Sequence, residues 1–254
     1  MKRRAPPTRL DGVLAGSDEP VFRVLPQRIL EDLRQTNSES TLLWNLIYPI
    51  AQPSISLRAL LSLRPLWGPR LELPDDNLVP YYWGFDVLGQ RLTCLNEVLA
   101  LVDGEGPQTE VDLFLVGTHQ LILVEAKRAG SLGRCHRYLA GRCPEIHGNG
   151  DQGCRYWAIE AARFSVSLDF GPKPIPAALS PICNRHYQLA RSLMVGEKLA
   201  ERLRRQLQLW LFVPGSRWPA MERDWVDFSD RVKDDGVWGR MRVLAWEEIQ
   251  DLDS

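Results

Sequence analysis

Apolar residues at 42, 43, 46, 47 and 50 of TLLWNLIYPI recur at helical spacing, which predicts an amphipathic helix there. Thr36 and Glu39, just in front, have the spacing of a capping box. SLRALLSLRPLW repeats the helical pattern until Pro65 breaks it, and residues 68–90 read as an aromatic-rich connection. Three strand-like runs follow: LTCLNEVLALV (92–102), EVDLFLVG (110–117) and QLILVEAKR (120–128). Gly, Pro, Cys and His crowd residues 129–185, which predicts a long insertion. Helical spacing returns after His186, with Leu189, Leu193, Leu199 and Leu203 on about one face. LQLWLFV (207–213) reads as a strand closed by Pro214-Gly215, and GRMRVLAWEEIQDL as a strand and a terminal helix. Residues 1–20, rich in Pro, Gly and charge, are expected to be a flexible arm before a single domain over 21–254.

The runs at 110–117 and 120–128 face each other across Gly117-Thr118-His119-Gln120, a hairpin turn. Counting outward from that turn puts Asp112 opposite Glu125 and Glu110 opposite Lys127. Alternation places all four on one face, shared with Phe114, Val116, Leu121 and Leu123. Two carboxylates directly across a ladder repel each other. A sequence keeps such a pair most easily when a cation sits between them. The plainer alternative is a solvated face with Glu110–Lys127 as a cross-strand ion pair. It leaves unexplained why oily residues share that face, which something must cover.

Asp112, a hairpin and then Glu125-Ala126-Lys127 resembles the D…ExK signature of the PD-(D/E)XK nuclease superfamily. The element order over residues 36–214 also resembles its core, although Val111 stands where many members carry proline. The resemblance implies a restriction-endonuclease-like α/β (α+β) fold, a central mixed sheet flanked by helices, carrying the Cys/His-rich insertion. It implies an endonuclease activity that hydrolyses phosphodiester bonds, of DNA sooner than RNA. Asp112, Glu125 and the Ala126 carbonyl would hold Mg²⁺ or Mn²⁺. Lys127 would orient or deprotonate the attacking water. Relatives add an acid from the preceding helix, here Glu39 or, on the expected first strand, Glu97. Tyr187-Gln188 matches the polar residue they place beside the site. Nucleases that cut both strands often dimerise, so a homodimer is one possibility.

In the insertion, Cys135, Cys143, His147 and Cys154 suggest a structural Zn²⁺ site of Cys₃His type. His136 and Cys183 are alternative fourth ligands, and a four-cysteine set would also suit an iron–sulfur cluster. Free cysteines packed as small hydrophobes are the plain alternative. The stretch 134–163 carries Arg134, Arg137, Arg142, Arg155 and Arg163 against Glu145, Asp151 and Glu160. With Tyr138, Tyr156 and Trp157 interleaved, it is a candidate nucleic-acid surface.

Composition adds limits. The 254 residues carry a net charge of −1, so any polyanion site must be local. At 44% hydrophobic and 25% charged, the chain is that of an ordinary globular protein. Five cysteines, no membrane-length apolar run and no signal-like apolar segment point to a reducing, cytoplasmic setting. A binding module without catalysis remains the competing functional class, as does a zinc-stabilised structural protein.

Overall fold

The alternation in residues 113–126 builds the centre of a five-stranded mixed sheet. The computed structural model describes residues 10, 12–51, 57–70, 77–105, 108–129, 132–148, 153–176 and 180–253. The strands are β1 (Val79–Tyr82), β2 (Leu113–Val116), β3 (Gln120–Ala126), β4 (Gln206–Val213) and β5 (Arg242–Ala245), in that spatial order. Neighbours among β1, β2 and β3 are antiparallel, whereas β4 is parallel to both β3 and β5. The β2–β3 register sets Leu113 against Val124 and Phe114 against Leu123, as counted from the turn.

Both faces of the sheet are covered, so the inner strands are apolar on both sides. Phe114, Leu121, Leu123, Leu209 and Leu211 pack with α2 (Leu95–Asp103), α3 (Tyr187–Leu203) and α4 (Trp218–Ser229). Leu113, Leu115, Ile122, Val124, Trp210 and Phe212 pack with α1 (Glu39–Ile50) and α5 (Trp246–Gln250). Helix α3 lies close to the sheet because Gly196 faces it: a Cβ there would stand 2.9 Å from both Leu123 and Leu207. Among the described residues no helix is long and apolar enough to cross a membrane.

Three local expectations are corrected. The apolar run at 92–102 predicts a strand, but residues 95–103 form α2, burying Leu95, Val98, Leu99 and Val102 at helical spacing. The first strand is instead Val79–Tyr82, an edge position where Pro80 costs no ladder bond in the sheet's interior. Helix α1 is capped by Ser38, whose hydroxyl accepts from Thr41 N at 3.1 Å, so Thr36 and Glu39 do not form a capping box. Glu39 is thereby free for other work.

Of the expected arm, residues 1–9 and 11 lie outside the described residues. Asn45 of α1 binds Gly12 O and Leu14 N, and the Trp44 indole donates to Ala15 O. The insertion contains only single turns of helix among its described residues, such as His136–Leu139, Pro144–His147 and Arg155–Ala158. Buried Asp103 ties it down, accepting from Tyr156 Oη at 2.8 Å and pairing with Arg191 of α3 at 3.0 Å.

Candidate active site

The end of β3 brings together residues from four parts of the chain. Asp112, just before β2, accepts from Ala126 N at 2.8 Å, which holds its carboxylate against the strand that carries Glu125. Glu125 is fully buried. Its two oxygens accept from Gln188 Nε2 at 2.7 Å and Ser192 Oγ at 2.6 Å, both on α3. Lys127 Nζ stands 3.9 Å from Glu125 and 3.4 Å from Glu39. Glu39 also accepts from Arg128 N at 3.0 Å, so the first residue of α1 is anchored to the end of β3. Asp112, Glu125, Lys127, Glu39 and Gln188, all selected from the sequence, therefore share one site.

Ser192 escaped the sequence reading. It lies one helical turn beyond Gln188, the spacing that sets two side chains over one partner, and that signal was available. Gly133 was missed as well. Its φ of +87° and the overlap an added Cβ would have with Gln188 Oε1 leave room for glycine alone. Glu97 does not join the site: it is exposed on α2 and pairs with Arg202 at 3.3 Å. The expected Glu110–Lys127 pair is not formed either, because Glu110 bonds Arg28.

Burial and crowding of like charges dominate the electrostatics. Glu125 is pushed up to about 8, first by burial and then by Asp112, with Lys127 and Ser192 opposing. Asp112 is also raised by burial, against the pull of Lys127 and the Ala126 amide. Lys127 is held above its ordinary value because Asp112, Glu125 and Glu39 together outweigh its desolvation. Asp112→Asn should therefore leave metal-free stability unchanged or raise it by up to about 1 kcal/mol. Denaturant melts of both proteins in chelator check this, since the new amide oxygen can still accept from Ala126.

Among the described residues no group of three or more His, Cys, Asp or Glu side chains is placed to hold a metal ion. The donor set at β3 still suits a hard divalent ion. Mg²⁺ takes one or two carboxylates and keeps several waters, and Asp112 and Glu125 form such a pair. Ionised together, they would carry more negative charge than Lys127 alone can balance.

In the insertion, Cys143 N donates to His147 Nδ1 at 3.0 Å, and the His147 ring lies over Tyr138 with centroids 5.7 Å apart. Cys135, Cys143 and Cys154 each precede a turn of helix. Burial lifts Cys154 to about 11 and Cys183 to about 12. Of the candidate nucleic-acid contacts, Arg134, Arg137 and Arg142 are exposed. Arg155 is not available to phosphates in the same way: it caps α2, donating to Val102 O at 2.9 Å and Leu101 O at 2.6 Å. No protein-family model, curated protein or solved structure matches the chain.

Proposed function

We propose that the chain is a divalent-metal-dependent nuclease of the PD-(D/E)XK type, with a restriction-endonuclease-like core. One observation carries this reading. Glu39 and Gln188, distant in sequence, converge with Lys127 on the cross-strand pair Asp112–Glu125 at the end of a parallel strand. Ligand sites in open α/β sheets lie beyond the carboxyl ends of such strands. A surface ion-pair network does not need a fully buried glutamate, yet Glu125 is one.

Asp112 and Glu125 would hold Mg²⁺ or Mn²⁺, which neutralises phosphate charge and acidifies a bound water. Gln188 and Ser192 fix the Glu125 carboxylate by one hydrogen bond to each oxygen. Lys127, tethered by Glu39, orients the attacking water and steadies the charge developing on phosphate. Exposed Arg134, Arg137 and Arg142 supply a basic approach for the polyanion, with DNA as the favoured substrate.

A second reading has its own support. Both Glu125 oxygens and both Glu39 oxygens already have partners inside the protein, as a silent binding module would require. Incubating the protein with plasmid, single-stranded DNA and RNA, with Mg²⁺, Mn²⁺ or chelator, separates the two. The nuclease reading expects cleavage that chelator stops; binding without cleavage under every divalent condition supports the silent module.

The basic approach carries a separate expectation. Arg137→Ala with Arg142→Ala should weaken nucleic-acid binding and lower the log–log salt slope by about 0.7–0.9 for every phosphate no longer neutralised. Filter binding across a salt series gives the slope. Wild-type affinity and slope would turn this face of the insertion away from substrate.

A further inference from the structure

The carboxyl ends of the parallel strands hold more than the acidic cluster. Arg128 after β3, Pro214 after β4 and Trp246 after β5 line one cavity of about 420 Å³. That volume lies in the range of small-ligand pockets, about 300–1,000 Å³, and open α/β sheets bind ligands beyond such strand ends. The cavity adjoins the acidic site through Arg128, which directly follows Lys127 and whose amide donates to Glu39 at 3.0 Å.

Its lining suits a nucleobase. Leu42, Leu46, Pro214 and the Trp246 ring form an apolar wall, while the Thr36 hydroxyl and the Gln250 amide add polar groups. An unstacked base needs both, a face to stack on and groups to meet its edge. Glu247, also in the wall and accepting from Gly215 N at 2.9 Å, brings a negative charge that turns phosphate away. Among the described lining residues Arg128 is the one cation, and its guanidinium, donating to Asn37 O at 2.8 Å, has the fork shape that fits phosphate. A second cavity of about 420 Å³ shares Leu14, Asn45, Leu46 and Gln250 with the first, so a groove continues from Arg128 toward Tyr48. Asn45 holds its wall in place, bonding Gly12 O at 2.8 Å and Leu14 N at 3.0 Å. A groove that runs on past one pocket fits a strand better than a single small molecule.

We propose that the cavity at Arg128, Pro214 and Trp246 receives an unpaired base of the substrate strand, which makes single-stranded DNA the preferred substrate. A base in a duplex must first leave its stack and its pair to enter. The subsite rests on the nuclease reading, which puts the reacting phosphate at Asp112 and Glu125.

The full chain in chelator, mixed with single-stranded DNA carrying iododeoxyuridine and irradiated, tests the pocket apart from any cleavage. The cross-link should map to Trp246, and the same sequence as a duplex should give none there. Affinity for the strand should exceed that for a sugar–phosphate strand of equal length without bases by about tenfold, the scale of one stacked base. Trp246→Leu should remove that difference; where the variant fails to fold, the cross-link on the native chain still decides. A cross-link in the insertion instead, duplex bound as tightly as single strand, or a mononucleotide that displaces the strand at equal concentration would each overturn the base pocket. Trp246 cross-linked but no cleavage under any divalent ion keeps the pocket and removes the nuclease reading. Duplex cleaved with no cross-link at Trp246 does the reverse.

Discussion

Asp112→Asn and Glu125→Gln should each lower divalent-dependent cleavage at least about a hundredfold while leaving the fold intact. The scale follows from losing a ligand to an ion that supplies several kcal/mol of transition-state charge stabilisation. Both substitutions keep shape: the new amide at 112 still offers Ala126 N an acceptor, and that at 125 keeps one acceptor while its NH₂ can donate to the Ser192 hydroxyl. Single-turnover rates at equal circular-dichroism signal provide the check. Near-normal activity in either variant would remove that residue from the chemistry.

Lys127→Met should have the second large effect, and its effect on stability should depend on pH. The Glu125 carboxyl rises from an ordinary value of 4.5 to about 8. Between those values the folded chain keeps a proton that the unfolded chain has released, so metal-free stability falls as pH rises through that window. Lys127 offsets this by attracting the ionised carboxylates. Without it, the chain should lose more stability at the alkaline end of the window than at the acid end. A divalent ion, adding positive charge at the same place, should restore part of the loss. Cleavage should fall about 10²–10⁴-fold, the range for a lost proton-handling group. Chemical melts at several pH values, with and without Mg²⁺, measure the first effect. A pH-independent loss of stability would show that Lys127 acts by packing alone.

The sequence revealed the hairpin and its register, because period-two alternation and a four-residue turn leave little freedom in pairing Asp112 with Glu125. Gln188 was visible as a polar residue at the start of a strongly periodic helix. Two features misled. Residues 92–102 are rich in Leu and Val, and composition obscured the helical spacing of Leu95, Val98, Leu99 and Val102. Pro80 hid the true edge strand. Glu39 could not be settled locally, since a capping box and a reach of many residues to Lys127 begin with the same side chain. Only tertiary packing, which puts Ser38 at the cap, decided between them. Ser192 carried its signal in the four-residue spacing from Gln188, which takes on meaning only beside a partner for Gln188.

The nuclease proposal stands or falls on the Asp112–Glu125 pair holding the ion that cleaves nucleic acid. Mn²⁺ binding and single-turnover cleavage, read on the same samples across a Mn²⁺ titration at pH values below and above 8, probe that pair directly. One Mn²⁺ site is expected, with an occupancy curve that superimposes on the cleavage curve. Its affinity should fall about tenfold for each pH unit below the Glu125 value and level off above it. Occupancy without cleavage, cleavage without a bound ion, or an affinity indifferent to pH would contradict it.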